Sequence, residues 1–296
     1  MNEYIRTDLA KELRQACEIE NVHGISYSEK KISSITIERM SITTEEGAGI
    51  IGRPIGKYIT VDTGKPWEMD GDEKDLAERV LSRCIKELSP DNIKTVLVCC
   101  LGNREITSDS LGPLCADSLM VTRHIKQASP ELFFSVGNIE LASICPGVLS
   151  QTGIETAELI ESAVNCVKPD LIIAVDALCA RSSARLACTF QFTDTGISPG
   201  SGIGNHRKKI DKNSFGVPVI AVGVPTVVNS STLVYDALSE AGIENTSESL
   251  QTVLDNSKSF FVSPKESDIA VKESAQMLSS ALNRTFFYRG NHILYR

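Results

Sequence analysis

The order of apolar runs and amphipathic stretches predicts an α/β fold: a mostly parallel sheet with helices on both faces and a small β-rich N-terminal subdomain. Three observations carry this. From Thr95 onward strand-like and helix-like segments alternate, the signature of parallel strands joined by right-handed helical crossovers. Two runs, Thr95–Leu101 and Leu171–Val175, are almost wholly apolar, as strands buried on both faces are. Residues 25–63 instead show short two-residue alternation broken by glycines.

Taken in order, residues 1–24 are charged and contain a helical stretch, Leu9 to Glu20, whose lack of a strong apolar stripe makes it read as detachable. Ser34-Ile35-Thr36-Ile37 and Lys57-Tyr58-Ile59-Thr60-Val61 read as strands of a meander or hairpin, separated by Gly47, Gly49, Gly52, Pro54 and Gly56. An amphipathic helix covers 73–89. It is followed by strand 95–101, helix 111–126, strand 133–137, helix 154–166, strands 171–176, 187–193 and 217–223, and helix 230–241. A last helix, Pro264 to Leu282, has Ser263 as its cap and Pro264 in its first turn.

Composition narrows the function. With 296 residues, 42% of them hydrophobic and 23% charged, the chain can bury a large core. Its net charge of -8 supplies no basic patch for phosphates, which disfavours direct contact with nucleic acid and favours a basic partner. The start, Met1-Asn2-Glu3-Tyr4, opens no signal-like segment, and no run reaches the ~20 apolar residues of a membrane span; a cytoplasmic location without membrane attachment is expected. Nine cysteines form no Cys-x-x-Cys pair and read as small buried hydrophobes in a reducing compartment. The four histidines, 23, 124, 206 and 292, lack ligand spacing, so no cofactor is expected, while a divalent metal stays open. A hydrolase built on a Gly-x-Ser-x-Gly elbow is disfavoured.

Chemistry points to Asp109 and Asp176. Asp176 ends the run Leu171-Ile172-Ile173-Ala174-Val175, and Asp109 follows the run Thr95–Leu101 by one loop. Carboxyl ends of buried parallel strands are where open α/β sheets hold reactive groups, and two carboxylates from neighbouring strands can share a proton or hold a water. The blander alternative has Asp109 capping a helix near Ser110 and Asp176 closing a turn. The loop Gly200-Ser201-Gly202-Ile203-Gly204-Asn205 lacks a Gly-Lys-Ser/Thr ending and reads as a substrate-lining loop. The adjoining His206-Arg207-Lys208-Lys209 is either a solvated face or a contact for a substrate carboxylate.

Several motifs carry a family resemblance: Leu101-Gly102-Asn103-Arg104-Glu105-Ile106-Thr107-Ser108-Asp109-Ser110-Leu111-Gly112-Pro113, Gln151-Thr152-Gly153-Ile154-Glu155-Thr156, Lys168-Pro169-Asp170-Leu171 through Asp176-Ala177-Leu178, Asp194-Thr195-Gly196 through Asn205, and Gly216-Val217-Pro218 through Val228. Together they resemble the germination proteases of endospore-forming bacteria, over nearly the whole chain. The resemblance implies an endopeptidase, made as a self-processing zymogen, that degrades small acid-soluble spore proteins in the spore core during germination. It implies catalytic aspartates at Asp109 and Asp176 and a fold like that of the hydrogenase-maturation peptidases. It also implies a homo-oligomer, a tetramer, with no membrane and no nucleic acid as partner.

Family members cut themselves at a site such as Thr-Glu-Phe/Ile-Ala-Ser/Gly-Glu, and Thr7-Asp8-Leu9-Ala10-Lys11-Glu12 has the same layout. Cleavage is therefore expected between Asp8 and Leu9, leaving residues 1–8 as propeptide and 9–296 as the peptidase domain, with the β-rich 25–63 inside it. Arg123, Arg181, Arg207 and Lys208 are the cations expected to read acids flanking the scissile bond, with Gly202, Gly204 and Asn205 lining the site. Two rivals remain: a metal-dependent maturation-type peptidase using the same aspartates as ligands, and a non-enzymatic nucleotide-binding α/β module built on the Gly200–Gly204 loop.

Overall fold

The computed structural model describes residues 7–16, 23–200, 208–243, 248–257 and 260–287. Its strands are β1 (Ile25–Ile32), β2 (Ile35–Ile42), β3 (Gly56–Asp62), β4 (Thr95–Cys100), β5 (Glu140–Ile144), β6 (Leu171–Ala180), β7 (Thr189–Thr193), β8 (Val219–Asn229) and β9 (Phe261–Val262). The helices are α1 (Ala10–Ala16), α2 (Glu45–Ile51), α3 (Gly71–Leu88), α4 (Leu111–Ala116), α5 (Arg123–Ala128), α6 (Pro130–Val136), α7 (Leu149–Thr152), α8 (Thr156–Val167), α9 (Lys212–Phe215), α10 (Ser230–Glu240), α11 (Glu248–Ser257) and α12 (Ser267–Phe287). Among the described residues no helix is long and apolar enough to cross a membrane.

All nine strands join one sheet in the order β1-β2-β3-β7-β8-β6-β4-β5, with β9 beside β8. The α/β alternation delivers its parallel part, β5-β4-β6-β8. The other pairings are antiparallel, and β3 joins β7. The β-rich segment 25–63 is thereby continuous with the main sheet rather than set apart from it.

Strand β6 shows why the sheet is two-sided. Ile173 and Val175 point into a large core shared with α3, α4 and α12, where Leu81, Ile85, Leu278 and Leu282 are fully buried. Ile172 and Ala174 point the other way, against Ile160 of α8. On this second face a third cluster, Ala10 and Leu13 with Met40, Ile42, Ile51 and Tyr58, docks α1 and α2 on the antiparallel half. The N-terminal stretch that reads as detachable is therefore anchored: Leu9 and Ala10 are essentially inaccessible.

Four other expectations change, the first being the helix expected over 111–126, which is two helices, α4 and α5. Residues 133–137 were expected as a strand, yet Pro130 sits in the first turn of α6, which spans 130–136; proline there lacks only an N–H that has no helical partner anyway. The adjoining strand is β5, beginning at Glu140 after the left-handed Asn138. The glycines expected to break residues 47–52 instead fall in α2 and at its end, where the Thr44 side chain accepts from the Gly47 N–H and Gly52 closes the helix in the left-handed region. The last helix begins at Ser267, one turn later than Pro264.

Candidate active site

Two loops and two strand ends converge on a cavity of about 370 Å³, which Asp109 and Asp176 both line. Asp176 lies inside β6 and is 7% exposed, its Oδ1 accepting from the Ala177 N–H at 3.0 Å. Asp109 reaches the cavity because the chain folds back sharply after β4. Gly102 adopts φ +114°, and a Cβ there would lie 2.0 Å from the Asp109 carbonyl oxygen, so only glycine permits the turn. The Asp109 Oδ2 accepts from the Asn103 N–H at 2.8 Å, and the Thr226 hydroxyl of β8 donates to the Ser108 carbonyl at 2.6 Å. The loop is thus tied down on both sides of the carboxylate. Ser110, at the start of α4, makes no side-chain capping bond, and the Asp109 carboxylate holds its own loop through the Asn103 N–H.

Opposite Asp176 the sheet supplies a second polar wall. Register pairs Asp176 with Gly223 of β8, Gly223 with Gln191 of β7, and Gln191 with Thr60 of β3. Directly paired residues share a face, so Asp176 and Gln191 look into the same space about 10 Å apart, two strand spacings. Gly223 between them carries no side chain. Leu178 leans into that gap, where a Cβ on Gly223 would meet its Cγ at 2.4 Å.

The N-terminal segment runs beside this cavity, and its Asp8 forms part of the wall. The Asp8 N–H donates to the Cys179 carbonyl at 2.8 Å, and the Cys179 N–H donates to the Asp8 Oδ2 at 2.9 Å. Arg53 Nη2 donates to the Thr7 carbonyl at 3.0 Å and stands 3.8 Å from the Asp8 carboxylate. Gln191 holds the backbone on both sides of Leu9, its Nε2 donating to the Asp8 carbonyl at 2.9 Å and its Oε1 accepting from the Ala10 N–H at 2.6 Å. The Leu9 side chain fills an apolar socket of Leu178, Ala180, Leu186 and Val228.

Glu12 closes the segment. Its carboxylate accepts from the N–H groups of Arg181 at 2.7 Å and Ser182 at 3.0 Å, takes the Thr7 hydroxyl, and pairs with Arg185 Nε at 3.0 Å. One residue back, Lys11 pairs with Glu38 and Asp62. For Asp62, burial pushes the carboxyl up, but hydrogen bonds from Lys11 and Thr189 and the charges of Lys11 and Arg185 outweigh it, holding the group below its ordinary value.

The cations expected at the site stand elsewhere. The Arg123 side chain pairs with Glu140 at 3.2 Å, Arg181 grips Asp236 at 2.6 Å and lends only its backbone N–H to Glu12, and Lys208 reaches Glu161 at 3.7 Å. None of the three lines the cavity. Each has a nearer carboxylate on its own surface, which the one-dimensional sequence does not reveal. Gly202, Gly204, Asn205 and Arg207 lie outside the described residues. Sequence reasoning missed Arg53 and Gln191. Arg53 carries no signal in its glycine-rich stretch, whereas Gln191 has a faint one, a lone amide between Phe190 and Phe192.

It also missed that Gly196-Ile197-Ser198-Pro199-Gly200 has the Gly-x-Ser-x-Gly spacing and that Ser198 lines the cavity. The context differs from a nucleophile elbow, which turns from a parallel strand straight into a helix. Here the motif follows the antiparallel strand β7, and Ile197 bridges back to Ile210. Cysteines 84, 99, 100, 115 and 179 are buried as expected, but Cys145 and Cys166 are exposed. Burial pushes the Cys84 and Cys99 thiols up to about 12, which leaves almost no thiolate at neutral pH. Among the described residues no three His, Cys, Asp or Glu side chains are grouped to share one ion.

A family model described as germination protease matches residues 5–241, a span that takes in the N-terminal segment and both aspartates. The chain belongs to the germination protease family. A germination protease of Caldanaerobacter subterraneus subsp. tengcongensis is 39% identical, covering 94% of this chain and 93% of that protein. Another, from Clostridium acetobutylicum, is 37% identical and covers 94% of each. Among solved structures, the [NiFe] hydrogenase maturation protease HycI of Thermococcus kodakarensis is similar at a TM-score of 0.40 and 16% identity, covering 69% of this chain and 98% of that one. Membership in the germination protease family makes this chain a peptidase and a hydrolase of spore germination, so a non-enzymatic nucleotide-binding module is set aside.

Proposed function

We propose that this chain is an endopeptidase, made as a self-processing zymogen, that begins the degradation of small acid-soluble spore proteins in the spore core. Asp109 and Asp176 activate a water for peptide hydrolysis. One carboxylate is ionised and takes a proton from the water, and the other gives a proton to the leaving amine. The observation that supports this reading is that Asp8 of the hexamer Thr7–Glu12 lines the cavity that both aspartates line, held there by the Cys179 N–H and by Gln191.

The hexamer has hydroxyl, acid, large apolar, alanine and a final acid, and the surroundings account for three of these positions. Arg53 and the Cys179 N–H face the first acid, the Leu178–Leu186 socket takes the apolar side chain, and two backbone N–H groups with Arg185 take the final acid. A substrate carrying the same pattern would use the same groove.

The test is incubation of the purified full chain at about pH 6, where mild acidification relaxes repulsion in an acidic protein, followed by N-terminal sequencing. A new terminus at Leu9 is expected; a persistent Met1 terminus, or any other new one, rejects the reading. A peptide containing Thr-Glu-Phe-Ala-Ser-Glu should be cut after its first Glu. The metal-dependent rival uses the same carboxylates as ligands, and loss of cutting with a chelator, restored by a divalent ion, would select it.

A further inference from the structure

We infer that Gln191 is a catalytic residue, the donor that polarises the scissile carbonyl and holds the oxyanion formed when water attacks it. The inference rests on the reading that Asp8–Leu9 is the bond cut. Its basis is the side-chain amide of Gln191 against that bond: Nε2 donates to the Asp8 carbonyl oxygen at 2.9 Å while Oε1 accepts from the Ala10 N–H at 2.6 Å. The amide has one orientation available. The Ala10 N–H can only donate, so it must meet Oε1, which turns Nε2 onto the Asp8 carbonyl.

Position supports the role. Gln191 is 8% exposed, and its strand neighbours Phe190 and Phe192 anchor the backbone in the core on the opposite face, so the amide is fixed with little solvent competition. It stands across the Gly223 gap from Asp176, on the same sheet face. An extended chain lying between them has a carboxylate on one side and an amide donor on its carbonyl oxygen.

The electron count follows. Water oxygen adds to the Asp8 carbonyl carbon and gives a proton to the ionised aspartate, and the π pair moves onto the oxygen facing Nε2. When the pair returns, the bond to the Leu9 nitrogen breaks and that nitrogen takes a proton from the other carboxyl. The products are a carboxyl group at Asp8 and an amine at Leu9. A donor 2.9 Å from the oxygen gains strength as charge collects there, which lowers the barrier rather than tightening ground-state binding.

The experiment compares self-cleavage of the full-length wild type, Gln191→Glu and Gln191→Met by mass spectrometry over time, with hydrogen exchange of the segment around residues 8–10 measured alongside. Gln191→Glu keeps the acceptor for Ala10 and loses the donor; Gln191→Met keeps the length and loses both. Cutting should fall about 10²–10³-fold in either variant, while the segment in Gln191→Glu stays as protected from exchange as in the wild type. Folded variants that cut within about threefold of the wild type overturn the inference. So does loss of cutting in step with loss of protection in Gln191→Glu, which would make Gln191 a clamp alone. A wild type that never cuts between Asp8 and Leu9 removes the underlying reading and this inference with it, whereas undiminished cutting at that bond by Gln191→Glu removes the inference alone.

Discussion

Asp176 stands within a parallel strand whose preceding residues are all buried, whereas the groups that hold the N-terminal segment against it come from a loop, an antiparallel strand and the turn after β6. The first wall of the cavity is built from neighbours in sequence: an apolar run, then an acid. The second is assembled only when β3, β7 and β8 pair, because that pairing brings Arg53 and Gln191 over the end of β6. The carboxylates stand on one wall and most of the contacts to the N-terminal segment on the other, so the two can be altered separately.

The largest effect should come from the chemical wall. Replacing Asp109 or Asp176 by Asn keeps the shape and removes proton exchange, so cleavage should fall by at least about 10²–10⁴-fold while the thermal midpoint barely moves. A soluble Asp176→Asn protein with near-normal turnover would take that residue out of the scheme. Mixing the inactive Asp109→Asn chain with active enzyme then tests whether one molecule trims another.

On the recognition wall, Leu9→Ala should weaken docking of the segment by about 2–5 kcal/mol, the cost of emptying a buried leucine site that can relax only in part. Glu12→Gln should cost less, about 1.5–3 kcal/mol, because the amide keeps the shape but weakens the bonds from Arg181, Ser182 and Arg185. Hydrogen exchange over residues 9–16 measures both, and a segment that stays protected in Leu9→Ala would contradict the socket. Arg53→Ala should slow cutting of the Asp8–Leu9 bond by about tenfold. The same factor should separate, in the wild type, a peptide with an acid before the scissile bond from one with its amide. Equal rates for the two peptides would remove Arg53 as a reader of that acid.

The smallest effect is on pH. The Asp62 carboxyl is held below its ordinary value of 3.8, so its bonds to Lys11 and Arg185 stabilise α1 fully above that pH and are lost as pH falls through the lower folded value. The Asp62 share of α1 docking should therefore be flat at about pH 5–6 and be lost only below pH 3.8, and Asp62→Asn should diminish that acid-limb change. Loosening of α1 already at about pH 6 in the wild type would mean that a different group governs it. An activation step at mild acidity thus has to act on groups other than this anchor.

How far each part could be read from the chain follows the range of the forces behind it. The run Leu171–Val175 and its terminal Asp176 were legible because burial on both faces demands an uninterrupted apolar run, a local pattern. Asp109 was legible for the same reason, with Gly102 and Gly112 marking the close approach of loop and helix to β4. The helix at Ala10–Ala16 was legible but its docking was not, because a seven-residue helix has too few turns to show a stripe. Its buried face is defined by Met40, Ile42 and Tyr58 on strands far along the chain. Phe133-Phe134 resembles a strand by residue type, yet Pro130 one turn earlier decided for a helix.

Sequence alone thus determined the α/β class and singled out the two carboxylates and the hexamer Thr7–Glu12 as candidates, since each is written in adjacent residues. Only the tertiary structure decided that Asp8 of the hexamer lines the same cavity as those carboxylates, that Arg53 rather than Arg123, Arg181 or Lys208 faces its acid, and that Gln191 meets the Asp8 carbonyl. Which cation finds which acid depends on distances of a few ångströms between residues distant in the chain. Those distances are set by the register of β3, β7, β8 and β6, where a slip of one residue would turn Gln191 into the opposite core.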